Sequence, residues 1–338
     1  MSNLRIGTSG WNYPSGKGTW NGIFYPAKRG ERAPASKRGR GVTATKRGEG
    51  APASKRGGGA PASKFDELAF YAEHFDTVEI NTTFYGQPKA AIARTWAERT
   101  PPGFEFSLKL YRQFTHDRQG SLDEAEVDAF RKGIEPLANA GKLGALLAQF
   151  PPSFKQSGES LEYLDALLKR FHDYPMAVEL RHRTWSDRFG DTIDLLNARG
   201  AALTQIDEPK FQMSIRQNQL PNVSTFYYMR LHGRNADQWW KHDKSEDRYN
   251  YLYSADELKP ISATADAARR LVKKFYVYFN NHFSAKAVVN AVMIKSQLGE
   301  PIPGEYSEAF LNAYPHLRGV VQNYTEAWTL QPEYPANR

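Results

Sequence analysis

The sequence predicts a single-domain α/β protein, a (β/α)8 barrel with a disordered basic repeat inserted in its first βα loop. Short apolar runs rich in β-branched and aromatic residues alternate with longer amphipathic runs. Polar residues recur where the apolar runs end, and one repetitive segment interrupts the first connection. Eight strands that alternate with helices imply parallel pairing and right-handed crossovers, and a sheet of this size closes into a barrel.

Eight segments have strand character because they are short, apolar and bounded by turn or polar residues. In chain order they are residues 4–8, 77–82, 105–110, 145–150, 176–181, 201–206, 226–232 and 275–280. Seven amphipathic segments are predicted as helices, at residues 65–75, 89–99, 123–140, 161–172, 187–199, 255–274 and 285–298. Segment 209–223 is the weakest part of the pattern and is interpreted as irregular or as a short helix.

An open, doubly wound sheet is the main alternative fold. Such a sheet usually carries a glycine-rich phosphate loop after its first strand. Here the first strand leads into Gly7-Thr8-Ser9-Gly10-Trp11, which lacks the G-x-G-x-x-G spacing and continues into aromatic residues. The barrel is therefore favoured. No nicotinamide, flavin or P-loop nucleotide signature is found, and the cofactor, if there is one, stays unknown.

Four near-copies of one nonapeptide account for the basic character of the chain, at residues 28–36, 37–45, 46–54 and 55–63. Residues 27–64 hold 11 Lys and Arg against 2 Glu, a net charge of +9, whereas the whole chain carries +8. All other residues together therefore sum to −1. We expect the repeat to be disordered, because it has no aromatic residue and too little apolar area to offset the entropy of ordering it.

The same segment defines the expected domain organisation and one expected partner. The barrel is assigned to residues 1–26 and 64–300, the insertion to 27–63, and a C-terminal extension packed on the barrel to 301–338. Lys-Arg pairs can bind phosphates, so a nucleic-acid partner is expected only through the repeat.

The bulk composition excludes several other classes of protein. The chain of 338 residues contains no cysteine, which excludes disulfides, thiolate nucleophiles and Cys-ligated metals. No apolar stretch approaches the roughly 18 residues that cross a bilayer, and the first residues lack the apolar core of a signal peptide. We therefore expect a cytoplasmic protein without a membrane partner.

Candidate site residues lie at the carboxyl ends of the predicted strands, where the βα loops of such barrels form the active-site mouth. The candidate catalytic residues are Glu79, Glu179, His116 and His232. The candidate substrate-binding residues are Trp11, Asn81, Tyr85, Lys109, Gln149, Arg181, His182, Arg230, Asn280 and Asn281. Polar groups at every strand end are hard to explain by packing alone.

The roles of the two glutamates have alternatives. Buried in the barrel, Glu79 would either form an ion pair with Lys109 or Arg181, or act as a general acid/base or metal ligand. Glu79 and Glu179 could form an acid/base pair of the kind used in glycoside chemistry. With His116, His232 or Asp207 they could instead bind a divalent metal.

A string of motifs resembles the DUF72 (YecE-like) family of TIM-barrel proteins, whose biochemical role is largely undefined. The similar segments are RIGTSGW (5–11), FYP (24–26), FDELAFYAEHF (65–75), VEINTTFY (78–85), WAERTPPGFEF (96–106), Lys109 with THD (115–117), LGALLAQFPPSF (143–154), AVELRHRTW (177–185), YMRLHG (228–233) and VYFNN (277–281). Relative to the family, the repeat replaces a short linker, the segment after Pro301 is additional, and the region after Asn281 lacks the expected glycine-containing turn. The resemblance implies the barrel and supplies no substrate.

The combined prediction is an enzyme of the hydrolase, lyase or isomerase type that acts by acid/base chemistry on a small anionic, sugar- or nucleotide-like substrate. Glu79 and Glu179 are the acid/base candidates, with His116 or His232 as proton shuttle. Three cations, Lys109, Arg181 and Arg230, would hold the anion, while Asn81, Gln149 and Asn281 would orient it. The alternative is a nucleic-acid-associated protein or a metal-dependent nuclease or phosphoesterase.

Overall fold

A computed structural model describes residues 2–27, 65–118, 120–217, 220–239 and 245–323. The predicted disorder of the nonapeptide repeat concerns residues outside these ranges. None of the helices within them is long and apolar enough to cross a membrane.

A nine-stranded parallel sheet forms the centre of the fold. Its strands are β1 (Leu4–Ser9), β2 (Thr77–Ile80), β3 (Glu105–Lys109), β4 (Leu143–Gln149), β5 (Met176–Glu179), β6 (Ala202–Leu203), β7 (Gln205–Asp207), β8 (Phe226–Leu231) and β9 (Lys274–Phe279). Neighbouring strands follow the order β6-β5-β4-β3-β2-β1-β9-β8-β7. The strands lie within one to three residues of their predicted limits.

The two ends of this sheet are consecutive pieces of one chain segment. Strand β6 pairs with β5, and β7 pairs with β8. Only Thr204 separates β6 from β7, and its N–H donates to the carbonyl of Val178 at 2.8 Å. The sixth predicted strand is therefore divided between both edges, and this closes the sheet into a ring. The predicted eight-stranded α/β barrel is confirmed.

The predicted helices surround this ring. They are α1 (Glu67–His74), α3 (Ala90–Glu98), α4 (Glu124–Asn139), α5 (Gly158–Arg170), α7 (Phe189–Ala198), α8 (Ala255–Arg269) and α9 (Lys286–Gln297). Three short helices were not predicted: α2 (Thr82–Tyr85), α6 (Thr184–Asp187) and α10 (Glu308–Ala313). Within segment 209–223 the described residues form turns and an isolated bridge between Ser214 and His182 rather than a helix.

Side-chain caps fix where several helices begin. The carboxylates of Asp66 and Asp123 accept backbone N–H groups at the starts of α1 and α4. Ser254 forms a reciprocal capping box with Glu257 at the start of α8. Each such cap is typically worth about 1 kcal/mol, because it satisfies donors that the first turn leaves free.

The barrel interior is filled by side chains in layers, since alternate residues of each strand point inward. Tyr276 and Lys274 hydrogen-bond to Glu105 near the amino ends of the strands. One layer higher, the Tyr278 hydroxyl bonds to Ser107 and Thr77 at 2.9 and 2.6 Å. Because side chains fill the lower interior, we look for a functional site at the carboxyl ends of the strands.

Residues 305–317 pack on the outside of the barrel. The ring of Tyr306 lies edge-on to His74 of α1 at 4.8 Å, and His74 Nε2 lies 3.0 Å from the carbonyl of Glu305. Phe310 and Leu311 of α10 are buried. Two short strands, β10 (Glu305–Tyr306) and β11 (Gln322–Asn323), form a separate parallel pair. The proposed domain boundary at residue 301 stays a prediction.

Candidate active site at the barrel mouth

Strand register places several of the acidic and basic candidates in adjacent layers at the carboxyl end of the barrel. Glu79 is in register with Ser9 of β1 and Ser107 of β3. Gln149 of β4 is likewise in register with Glu179 of β5. Because side chains alternate along a strand, Lys109 shares the inward face of Ser107 and lies one layer above it. The sequence pattern E-x-x-x-K in β3 is the local origin of this placement.

Arg230 and Glu79 form a bidentate ion pair at this end of the barrel. Arg230 Nε lies 2.9 Å from Glu79 Oε2, and Nη2 lies 2.7 Å from Oε1. Ser9 and Tyr228 donate further hydrogen bonds to the same carboxylate at 2.8 and 2.7 Å. Glu79 is fully buried and Arg230 is 2% exposed. Both carboxylate oxygens are thus occupied.

Arg230 also links Glu79 to a second acidic cluster. Its Nη1 donates to Glu179 Oε2 at 2.5 Å. The other oxygen of Glu179 accepts from Arg181 Nε at 2.8 Å, and Arg181 Nη1 lies 3.0 Å from Glu208. The result is a continuous chain of alternating charge, Glu79–Arg230–Glu179–Arg181–Glu208.

The charges fix the protonation state of Glu179. Burial alone would raise the pKa of this carboxyl group, but Arg230 and Arg181 overcome that effect and hold the pKa well below its ordinary value. Glu179 is therefore a permanent carboxylate at neutral pH. Glu179 could act as a general acid only if its carboxyl group were protonated. The positive charges of Arg230 and Arg181 oppose that protonation.

The sequence left open whether Glu79 forms an ion pair or acts as a general acid/base or metal ligand, and the structure shows an ion pair. An ion pair is formed, and the partner is Arg230 rather than the expected Lys109 or Arg181. The planar guanidinium matches a carboxylate with two parallel hydrogen bonds, which an ammonium group cannot do. An acid/base role for Glu79 stays a prediction.

Lys109 is left without an ionic partner as a consequence. Among the described residues its Nζ forms no hydrogen bond and no ion pair, and it lies 3.8 Å from the centre of the Phe84 ring. Burial, reinforced by the positive charges of Arg230 and Arg181, lowers the pKa of Lys109 to about 7. Near neutral pH, Lys109 is therefore an uncharged amine in about half of the molecules.

Two histidines of the candidate site have lowered pKa values. His116 packs edge-on against Phe84 at 4.8 Å, and burial together with Lys109 lowers its pKa to about 4. His232 is fully buried, and burial followed by Arg230 lowers its pKa below the ordinary value. The side-chain nitrogen of Asn280 lies 3.0 Å from His232 Nδ1, while His232 Nε2 lies 3.3 Å from Arg181 Nη2 and 3.6 Å from Glu179.

The structure brings together only part of the predicted site. Glu79, Glu179, Arg181, Arg230, His232 and Asn280 contact one another, and Lys109 and His116 lie beside them. Gln149 is next to Glu179 in the sheet, but its amide donates to the carbonyl of Phe150.

The other candidates have partners away from the ion network. Asn281 donates to the carbonyl of Tyr251 and to Asn290, and so holds the β9 end to α9. His182 bonds to Thr184 at the start of α6. Trp11 lies edge-on to Trp96 of α3, Asn81 precedes α2, and Tyr85 is 74% exposed. Binding roles for these five residues stay predictions without support from a contact to the network.

Glu208, a member of the ion network, and Tyr228, a hydrogen-bond donor to it, are not among the candidates chosen from the sequence. Glu208 directly follows β7, where Asp207 was considered instead; Asp207 pairs outward with Arg234 and Tyr253. Tyr228 lies inside the predicted strand 226–232 and is not among the candidates, although its hydroxyl donates to Glu79. The inward alternation of Tyr228 and Arg230 in β8 is the signal that could have identified the tyrosine.

The remaining mouth loops form an aromatic wall. Tyr13 stacks on His282 at 4.3 Å, and Tyr249 lies 5.1 Å from the same ring. Where the sequence lacks the expected glycine-containing turn, Ser284 and Ala285 adopt left-handed backbone angles, with φ of 52° and 63°. No group of three or more His, Asp or Glu side chains is placed to hold a metal within the described ranges.

The fold and site together define a parallel α/β barrel with an ion network at its mouth. A family model for DUF72, described as a protein of unknown function, matches residues 58–309. The chain belongs to this DUF72 family, which confirms the resemblance seen in the sequence.

Curated relatives and solved structures agree with this assignment. The UPF0759 protein YunF of Bacillus subtilis (strain 168) is 30% identical over 256 residues, which cover 71% of this chain and 88% of YunF. The UPF0759 protein YecE of Escherichia coli (strain K12) is 33% identical over 116 residues, or 33% of this chain and 40% of YecE. A DUF72 family protein from Thermotoga maritima MSB8, known from a crystal structure, is 30% identical in sequence to this chain. The two structures superpose with a TM-score of 0.69 over 88% of this chain and 99% of that protein.

Proposed function

We propose that this chain is an enzyme that acts by acid/base chemistry on a small anionic, sugar- or nucleotide-like substrate at the barrel mouth, as a hydrolase, lyase or isomerase. The observation that supports it most directly is the unpaired Lys109 amine beside a buried chain of five paired charges. These groups come from strands β2, β3, β5 and β8 and from the residues that follow β5 and β7, at the end of the barrel where proteins of this fold carry their active sites.

Stability alone does not account for this arrangement. Desolvating several charges costs free energy that their mutual attraction only partly returns, and apolar replacements are often as stable. Perturbed titratable groups concentrated at a mouth are typical of functional sites. We therefore infer that the ion network holds its charged side chains in fixed positions for a function at the mouth.

The geometry suggests a division of roles. Lys109, His116 and His232 are uncharged or half-charged near neutral pH, so they can accept or donate protons. Arg181, with 13% of its side chain exposed, and the half-buried Lys109 would attract an anion. Glu79 and Arg230 are already saturated by each other and would fix the positions of their neighbours.

A substrate screen with a matched variant tests the proposal. Purified protein would be incubated with a panel of sugar phosphates, nucleoside monophosphates and sugar acids, and consumption would be followed by mass spectrometry. We expect at least one compound to be consumed by the native protein and not by Lys109→Met, while Lys132→Met on the exposed face of α4 behaves like the native protein. Equal consumption by Lys109→Met would contradict the proposal.

The basic repeat motivates a second candidate, a nucleic-acid-associated role or a metal-dependent nuclease or phosphoesterase. Its +9 charge is concentrated in residues 27–64, while all other residues are close to neutral. Deleting residues 28–63 should abolish binding to a random DNA duplex measured at two salt concentrations, because phosphate contacts make such binding salt-dependent. Retained, salt-dependent binding by the shortened protein would show that the barrel itself recognises nucleic acid.

A further inference from the structure

We propose that Lys109 is a Schiff-base lysine, whose Nζ forms an imine with the carbonyl carbon of a small anionic aldehyde, ketone or 2-oxo acid. This inference rests on the proposed function, because it names the substrate class of the same site. It narrows the reaction to a lyase or isomerase type.

Lys109, like the buried Lys295 on the outside of the mouth, differs from three other part-buried lysines in the contacts of its nitrogen. Lys142 donates to the carbonyls of Ala97 and Thr100 at 2.7 and 2.6 Å. Lys274 donates to Glu105 at 2.7 Å, and Lys286 to Asn250 at 2.5 Å. These nitrogens serve the fold and are occupied. The nitrogen of Lys109 has no such acceptor among the described residues, so its lone pair is available once the proton leaves.

The surroundings of Lys109 favour the neutral amine in two physical ways. Burial removes water from the nitrogen and is the larger effect, and it outweighs the attraction of the Phe84 ring face, 3.8 Å away, for a cation. The guanidinium groups of Arg230 and Arg181 add positive charge nearby, which opposes a second cation. Desolvation and an adjacent cation are the two means by which proteins activate an amine for attack on a carbonyl.

The same surroundings suit the product of that attack. The neutral Nζ adds to the carbonyl carbon, a C–N bond forms, and the oxygen takes up a proton from solvent. Loss of water, with the oxygen carrying away a second proton from nitrogen, leaves an iminium ion with one positive charge. Glu179 and Glu79 both favour a cation at this nitrogen, so they stabilise the iminium.

A base for the next step stands beside the nitrogen. An iminium acidifies the hydrogen on the adjacent carbon, and its removal gives an enamine. His116 is neutral and packs against the same Phe84 ring as Lys109. We assign it the removal of this proton. Its return to a different carbon would be isomerisation, and cleavage of the neighbouring C–C bond would be a lyase reaction.

Reductive trapping on the full-length native protein tests the inference. Glyoxylate, a small anionic aldehyde, would be added near neutral pH with cyanoborohydride, and peptide mapping would locate lysines that carry a reduced carboxymethyl group. Lys109 should be labelled at least about tenfold faster than the exposed Lys132, because its neutral fraction is far larger. The labelling rate should rise with a midpoint at about pH 7.

Two controls separate the outcomes. Lys295 is buried, lies over Phe75 at 5.4 Å and packs outside the mouth, so it should stay unlabelled. A parallel reaction with trinitrobenzenesulfonate reports whether the Lys109 amine is free at all. If it reacts with this reagent but not with glyoxylate, the Schiff-base inference is overturned and the proposed function stands. If Lys109 reacts with neither, both fail.

Discussion

Arg230 takes both carboxylate oxygens of Glu79, at 2.9 and 2.7 Å, by reaching through the barrel interior from β8 to β2. Strands β1 and β9 separate these two strands in the sheet. Because Glu79 is satisfied in this way, the carboxylate that was expected to pair with Lys109 is already occupied. The free amine at the mouth is thus a direct consequence of the Arg230–Glu79 pair.

Removing Arg230 should destabilise the protein strongly. Arg230→Met leaves Glu79 and Glu179 buried without their shared guanidinium, and breaking a buried pair in this way typically costs about 3–5 kcal/mol. The free energy of unfolding from urea titration would measure it. Arg318→Met, which breaks an exposed pair with Glu308, is the control and should cost no more than about 1 kcal/mol. Equal effects of the two variants would contradict the account.

The stability of the protein should depend on pH through Lys109. The pKa of Lys109 is about 7 in the folded protein and returns to the ordinary lysine value on unfolding. Between these values the unfolded chain binds the extra proton, so Lys109 makes stability rise as pH increases through that window. Below about pH 7 both states are protonated and the full penalty for burying the charge applies.

Lys109→Met should remove this contribution. Relative to the native protein, the variant should be most favoured below about pH 7, and its advantage should shrink steadily at higher pH. Urea unfolding at a series of pH values would measure the difference. A difference that does not change with pH would mean that the folded state leaves the pKa of Lys109 unperturbed.

Glycine at position 284 should stabilise the protein. Ser284 has φ of 52°, a left-handed conformation that costs a non-glycine residue roughly 1–2 kcal/mol. Ser284→Gly removes this strain at the cost of extra chain entropy, so we expect a net gain of about 0.5–1 kcal/mol. The exposed helical variant Ala263→Gly in α8 should lose about 1 kcal/mol instead. Thermal unfolding of both variants compares them, and a loss at both positions would argue against the left-handed turn.

The close contact between β1 and β2 requires glycine at position 7. A Cβ on Gly7 would lie 2.2 Å from the carbonyl oxygen of Thr77, so the strand backbones would have to separate. Gly7→Ala should therefore destabilise the barrel by about 1–3 kcal/mol or more. Gly158→Ala at the start of α5, where a Cβ meets nothing within 4 Å, should be neutral or slightly stabilising. The midpoint of urea unfolding distinguishes the two, and a neutral Gly7→Ala would contradict this packing.

The barrel was predictable because its information is local and repetitive. Each inner strand is a short apolar run, and each helix carries an apolar stripe, so the alternation is visible without three-dimensional knowledge. The split between β6 and β7 was not predictable, since it depends on how residues 202–207 meet both neighbouring strands. The short helices α2 and α6, with four residues each, are too brief to show a helical period.

Part of the membership of the ion network was predictable, but its pairing was not. Strand ends marked Glu79, Glu179 and Arg230, because charged residues there stand out against apolar strand interiors. Which cation pairs with which carboxylate depends on the stagger of the barrel strands and on side-chain reach. The spacing of the residues along the sequence does not determine these pairs. Asn281 shows the limit, since it looks like its neighbour Asn280 in the sequence but points to Asn290 instead of the mouth.

The protonation of Lys109 is the most direct test of the whole account. Reductive methylation of the lysines with a carbon-13 label allows each ammonium group to be titrated by NMR, and Lys109→Arg identifies the Lys109 signal. The account predicts a Lys109 midpoint of about 7, well separated from the other lysines. A midpoint near the ordinary value of about 10.4 would show a solvated or paired ammonium group and would contradict the proposed chemistry.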